Sequence, residues 1–383
     1  MLIGLVAPPW LPVPPRRYGG IEMVIDVLAR GLTAAGHQVL LAAPAGSTCG
    51  VPQVPGLPTS APERMGHTVV EIPYALSSYA ALKAVDVVHD HTVAGPLCLH
   101  APRGTPVVTT NHGPFNADLN PIYAEMSRQG VAIVAISRHQ RSTARNVKIA
   151  AVIHHGIDID SVPVGDGAGG YACALGRMTP AKGIREAILV AREAGVPLRI
   201  AAKMREPLER QYFDECVRPL LGGDVEYLGE LNAEEKYRLL GGAFALLNPI
   251  QWPEPFGLVM IEALACGTPV IATGCGSAPE IIDDGETGFV RTELSALAAA
   301  VHRVGELDRN RCRQKAVSSY STERMVAEHI QLYCRLLQAK PKDRRGRFLD
   351  GGLAAAGTIT PDRVLGEQVL RRPSIPAKSR SRS

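Results

Sequence analysis

Pro253-Glu254-Pro255-Phe256-Gly257-Leu258-Val259-Met260-Ile261-Glu262 places two carboxylates eight residues apart across a Pro/Gly turn that runs into a helix. The helix continues through Ala263-Leu264-Ala265-Cys266 and stops at Gly267, with Pro269 beyond it, a start-and-stop pattern of the usual kind. At its start the amides of Gly257, Leu258 and Val259 are expected to lack intrahelical acceptors, and the helix dipole favours an anion such as phosphate there. Helical side chains lean toward the N-terminus, so Glu262 is expected to point back at whatever binds. A carboxylate accepting from two vicinal hydroxyls is a common way to hold a ribose. Phosphate at the helix start and ribose at Glu262 would together make a nucleotide site.

Working outward, Gly176-Arg177 and Lys182-Gly183 follow an apolar run and precede a helical stretch. Two cations five residues apart at a strand end can clamp a diphosphate, the Arg in bidentate fashion and the Lys as a point charge. Near the N-terminus, Tyr18-Gly19-Gly20-Ile21-Glu22 lies between the first strand and the first helix. Adjacent glycines let a backbone approach a phosphate or sugar closely. His112-Gly113 ends another strand, where a pocket-facing imidazole could donate to a sugar hydroxyl or a developing charge. His89-Asp90-His91 also ends a strand and reads mainly as support of the first sheet.

Between these motifs, short β-branched runs alternate with amphipathic stretches, the pattern of parallel sheets covered on both faces. Strands are expected over residues 2–7, 38–43, 86–89, 106–110, 132–136 and 150–153, with helices over 21–35 and near 77–85. Residues 44–68, rich in Pro and Gly, read as an irregular loop, and a break spans about 157–170. The second half restarts with strands over 171–175, 198–202, 225–228, 243–248 and 269–273 and a helix over 184–194. A last helix covers 323–337. The expected division is therefore 1–160 and 161–322 as two doubly wound α/β domains, 323–338 as a terminal helix, and 339–383 as a disordered basic tail.

A length of 383 residues fits two domains, and 46% hydrophobic with 20% charged residues fits a globular fold with a sizeable core. The net charge of +4 is carried by the end of the chain: from Lys340 onward there are 11 Lys/Arg against 4 Asp/Glu. Residues 1–339 are thus slightly acidic, which argues against a nucleic-acid partner, as does an aromatic content of 5%. Scattered cysteines, no basic leader and no run of roughly 18 apolar residues lead to the expectation of a cytoplasmic protein. The basic tail suggests peripheral membrane contact as a less favoured role.

Three apparent motifs are set aside. Gly165-Asp166-Gly167-Ala168-Gly169-Gly170 matches G-x-G-x-x-G but precedes a strand instead of following one. Asp158-Ile159-Asp160 matches D-x-D, yet lies in the interdomain break beside no other carboxylate. His154-His155 with the remaining His and Cys residues gives no tetrahedral set, so no bound metal is expected.

Taken together, Tyr18-Gly19-Gly20-Ile21-Glu22, His112-Gly113-Pro114-Phe115, Gly176-Arg177 with Lys182-Gly183, Glu254 and Glu262 in the E-x7-E element, and Pro279-Glu280 resemble the retaining glycosyltransferases of family 4, over about residues 1–338. The resemblance implies the GT-B fold, two Rossmann-like domains facing a central cleft, with a nucleotide-sugar donor as co-substrate and no cofactor. It implies that Arg177 and Lys182 neutralise the leaving diphosphate, Glu262 binds the ribose and Glu254 a hydroxyl of the donor sugar. Phe256, Gly257, Leu258 and Val259 would line sugar and phosphate, Gly19 and Gly20 close over the diphosphate, and His112 touch the transferred sugar. Where the family usually shows Asn-Gly-x-Asp, this chain has His155-Gly156-Ile157-Asp158, a position expected to be structural.

The expected reaction is metal-independent transfer of a hexose-type sugar, with retention, to a saccharide, lipid or small-molecule hydroxyl. Loops 44–68 and 113–128 would shape the acceptor. The alternatives are a nucleotide-sugar epimerase or hydrolase on the same fold, and a catalytically inactive nucleotide-sugar-binding protein.

Overall fold

The structure is a computed structural model that describes residues 1–98, 101 and 104–339; the basic tail from Lys340 onward lies outside the described residues. Met1–Lys340 forms one compact unit. Among the described residues, twelve strands make two parallel six-stranded sheets. The first sheet contains β1 (Leu2–Val6), β2 (Gln38–Ala42), β3 (Val87–Asp90), β4 (Val107–Thr110), β5 (Ala132–Ala135) and β6 (Ile149–Val152), in the order β2-β1-β3-β4-β5-β6. The second contains β7 (Ala172–Arg177), β8 (Leu198–Lys203), β9 (Val225–Tyr227), β10 (Ala245–Asn248), β11 (Val270–Thr273) and β12 (Gly288–Arg291), in the order β12-β11-β10-β7-β8-β9.

Both orders reverse at a switch point, where loops diverge from the carboxyl ends of neighbouring strands and leave a crevice. In the first sheet that point lies between β1 and β3, and in the second between β7 and β10. Near-continuous apolar strands, wholly buried over β3, β4, β5, β10 and β11, are what helices on both faces of a parallel sheet require. The terminal helix Thr322–Gln338 carries Met325, Val326, Leu332 and Tyr333 into the same buried cluster as Ile3, Leu28 and Val108 of the first lobe. The chain thus returns from the second sheet to complete the core of the first.

Three expectations need correction. The helix placed near 77–85 runs over Thr68–Ala81 instead, with Pro73 inside it; proline reads as a breaker because it removes one backbone hydrogen bond and crowds the carbonyl one turn back, yet the helix continues through it. The third strand is shifted by one residue, to Val87–Asp90. The edge strand β12 was not anticipated.

Candidate active site

The site is built on the second switch point. After β7, the chain passes Thr179 and a tight turn at Pro180–Lys182 into helix Ile184–Glu193. After β10 it passes Pro249 to Gly257 into helix Leu258–Ala265. The Gln251 amide donates to the Ala181 carbonyl at 2.9 Å, which stitches the two loops together. The ammonium of Lys182 then pairs directly with the Glu254 carboxylate, and the same ammonium lies 5.8 Å from the centre of the Trp252 ring. A third loop buttresses this turn: the Ser277 amide donates to the Glu254 carbonyl at 3.0 Å, and the Ser277 hydroxyl to the Phe256 carbonyl.

Gly257, at φ +89°, is the residue before helix Leu258–Ala265, and no side chain caps that end. A left-handed backbone suits glycine, and it leaves the first helical amides open to a ligand. One turn along, Glu262 is 4% exposed and accepts from the Lys236 ammonium at 2.6 Å. Lys236 belongs to helix Ala233–Gly242, which starts in a reciprocal Asn232–Glu235 capping box. Arg177, at the end of β7, is half-buried and has no carboxylate within ion-pair distance among the described residues. Its charge is felt at Tyr18, where burial raises the phenol and Arg177 pulls it back.

The first lobe meets this site through its glycine pair. A Cβ on Gly20 would stand 3.0 Å from Cδ1 of Leu258, so the start of helix Gly20–Ala34 lies directly against the start of helix Leu258–Ala265. The Tyr18 amide donates to Glu230 of the second lobe at 3.2 Å. Just inside, Glu22 is buried, and burial pushes its carboxyl up to about 7.

His112 follows β4, held by backbone on both sides: the Gln140 side-chain amide donates to the carbonyls of Asn111 at 2.8 Å and Gly113 at 2.6 Å. Nε2 of His112 lies 2.9 Å from Nδ1 of His91. The His112 ring stacks on His155 at 5.1 Å and 21°, and His155 meets Phe256 edge-on at 5.0 Å. This row joins the first lobe to the Pro253–Gly257 turn. Burial pushes His112 down to about 3 and holds His91 and His155 well below the ordinary imidazole range. A second link runs through Glu280, which accepts from the amides of Arg138 at 2.9 Å and His139 at 2.6 Å and from His154 at 3.1 Å. Burial alone would raise its carboxyl; these hydrogen bonds pull it below the usual range.

The structure therefore brings Lys182, Glu254 and Phe256 together on stitched loops, and sets Gly257 and Leu258 against Gly20 of the other lobe. His112 joins them through His155. Sequence reasoning missed Lys236, which nothing local connects to Glu262, and it treated His91 and His155 as supports although both touch His112. Asp90 and His89 are sealed in. Burial raises the Asp90 carboxyl to about 7, and it accepts from the Tyr79 hydroxyl and the Thr92 amide. Asp158 lies 3.4 Å from Arg30, and among the described residues no group of three His, Cys, Asp or Glu side chains is placed to hold a metal. The glycine-rich stretch at 165–170 runs along Gly241 and Gly242, with the Gly167 and Gly169 amides donating to their carbonyls.

Residues 18–161 match the family described as Glycosyltransferase Family 4, and residues 166–319 match the glycosyl transferases group 1 family. The crystal structure of AviGT4, a glycosyltransferase involved in avilamycin A biosynthesis, is 30% identical with a TM-score of 0.69, over 88% of this chain and 98% of that one. The chain belongs to the family 4-like glycosyltransferases of the GT-B fold. Among other members, a phosphatidyl-myo-inositol mannosyltransferase from Mycolicibacterium smegmatis is 27% identical over 84% of this chain and 88% of its own length. Anabaena HepE, solved in complex with UDP and glucose, shares the fold at 17% identity and a TM-score of 0.67, over 86% of this chain and 98% of that one. As a GT-B glycosyltransferase, the protein carries its second Rossmann-like sheet within the matched segment 166–319, and the first within 18–161 except for β1 at Leu2–Val6. No helix among the described residues is long and apolar enough to cross a membrane.

Proposed function

We propose that this glycosyltransferase moves a hexose from a nucleoside diphosphate sugar to an acceptor hydroxyl, with retention of anomeric configuration and without a divalent ion. One arrangement carries the reading. Arg177 without a carboxylate partner among the described residues, Lys182 held by Glu254, and the uncapped N-terminus after Gly257 gather positive potential on two loops at one switch point. Anabaena HepE, which holds UDP and glucose, supports a nucleotide-sugar donor for the shared fold.

Departure of the diphosphate builds negative charge on its oxygens and positive charge on the sugar ring. Preorganised cations and helix-terminal amides stabilise the first, usually the largest single contribution to catalysis. A phosphate drawing on the Lys182 ammonium would free Glu254 to accept from a hydroxyl of the donor sugar. Glu262, held by Lys236, would accept from the ribose hydroxyls. Gly19 and Gly20 would approach the diphosphate from the first lobe, and His112 the transferred sugar. With that much fixed positive charge, charge neutralisation does not call for Mg²⁺. The departing phosphate oxygen takes the acceptor's proton as the new glycosidic bond forms on the face it leaves.

The test begins with a thermal-shift screen against UDP, GDP, ADP and their sugars, since a ligand that binds only the folded state raises the melting temperature. Transfer is then assayed with the stabilising donor, and the product anomer is read by proton NMR. Donor consumed equally fast without acceptor would favour hydrolysis or epimerisation. Activity lost to EDTA and restored by Mg²⁺ or Mn²⁺ would overturn the metal-free part.

A further inference from the structure

The contact between His91 and His112 carries information beyond proximity. His91 is buried and His112 half-buried, and desolvation keeps both neutral at ordinary pH, so a single proton is shared across the 2.9 Å gap. Either His91 Nδ1–H donates to His112 Nε2, or His112 Nε2–H donates to His91 Nδ1. The tautomer of a histidine is set by the hydrogen bond its other nitrogen makes, so the direction of this bond decides what His112 offers a ligand.

The surroundings of His91 favour the first arrangement. His91 is 5% exposed, and its Nε2 has no partner among the described residues. The neighbouring His89 ring, 4.2 Å away, cannot supply one. Its Nδ1 is 2.7 Å from the Tyr333 hydroxyl and its Nε2 is 2.8 Å from the Thr110 hydroxyl. If His91 accepted at Nδ1, its Nε2 would carry a buried N–H with nothing to bond, and orphaned buried N–H groups are rarer than under-satisfied acceptors. If His91 donates from Nδ1, the unpartnered atom is only a lone pair.

On this basis, and resting on the proposed role of His112 against the transferred sugar, we propose that His91 is a positioning residue that locks His112 in the Nδ1–H tautomer. His112 Nδ1 has no protein partner among the described residues. His112 therefore meets the sugar as a hydrogen-bond donor, able to hold a hydroxyl oxygen through its lone pair, and not as a proton acceptor. His155 stacks on the same imidazole at 5.1 Å and 21°.

The deciding experiment is long-range proton–nitrogen NMR of the imidazoles in the full chain labelled with [15N]histidine, at pH 7.5 and without ligand. His112 and His91 are assigned by comparison with His112→Asn and His91→Asn. The expected pattern is a protonated Nδ1 and bare Nε2 on both rings. His91→Asn keeps an amide N–H near the place of Nδ1 and should hold His112 in the same tautomer. His91→Phe keeps bulk but loses the donor, so His112 should revert to the Nε2–H form that an unconstrained neutral imidazole prefers. In the transfer assay, His91→Phe should lower kcat by about tenfold, the effect of roughly one lost hydrogen bond, with the donor KM within about twofold. His91→Asn should recover most of that loss. An Nε2–H tautomer on His112 in the unmodified protein overturns the inference while leaving glycosyl transfer untouched. So does equal turnover in the Phe and Asn variants at matched melting temperatures. The expected tautomers in a protein that transfers no sugar would uphold the lock and overturn the proposed reaction alone.

Discussion

The Lys182 ammonium is bound to the Glu254 carboxylate, and the two side chains are only 15% and 14% exposed. Each charge answers the other in this structure, and in the proposed reaction each takes a separate task once a phosphate arrives. Removing the cation with Lys182→Ala should cut kcat/KM by about a hundredfold or more, the scale of losing one preorganised charge at a developing anion. The same variant should bind the stabilising nucleoside diphosphate more weakly by calorimetry. Unchanged kinetics would refute the role of Lys182.

Lys236→Ala should behave differently, because it leaves the Glu262 carboxylate buried and unpaired. A broken buried pair costs about 3–5 kcal/mol, so a large drop in melting temperature is expected even without ligand. The double variant Lys236→Met/Glu262→Leu should regain most of that stability but not nucleotide affinity. Recovery of both would show that Glu262 does not hold the ribose.

Gly257→Ala places a Cβ on a residue at φ +89°. The conformational cost is about 1–2 kcal/mol, and the new methyl would stand 2.7 Å from the Met260 terminal carbon. A melting temperature lowered by several degrees is expected, together with a raised donor KM as the helix start shifts. Urea denaturation and steady-state kinetics would check both halves.

Stability should also respond to acid with a definite sign. Burial holds His89, His91 and His155 well below their ordinary range, and pushes His112 to about 3 and His329 to about 4. The unfolded chain takes up protons on these rings from about pH 6.5 downward while the folded chain does not, so stability is lost as pH falls below about 6.5. Glu22 and Asp90, raised to about 7 by burial, act oppositely: their contribution is lost as pH rises from the ordinary carboxyl range to about 7. A series of melting temperatures from pH 8 to 4.5 should fall steeply on the acid side. Because Glu22 gains stability for the fold as pH falls from about 7 to 4.5, Glu22→Gln should steepen the acid-side fall over that range, and an unaltered profile would argue against its buried protonation.

The sheets could be read in the sequence because parallel strands buried on both faces must be apolar runs, as at Val107–Thr110 and Val270–Thr273. The helix start at Gly257 was legible for the same local reason, a turn residue ahead of a helical run. Gly288–Arg291 escaped because it sits at the sheet edge, begins with glycine and is only half buried. Lys236 and His91 escaped for another reason. Their partners, Glu262 and His112, lie on different elements, and only the sheet order and loop stitching bring them together. The departure at His155 was visible, but its stacking against His112 depends on two strands meeting in space.

Met325, Leu332 and Tyr333 are late to leave the ribosome, yet they pack among residues synthesised first. The N-terminal half must wait, incompletely sealed, while the entire C-terminal half is made. Expressed without that final segment it should be caught by chaperones or degraded, whereas the later half has its own strands at hand as soon as it emerges.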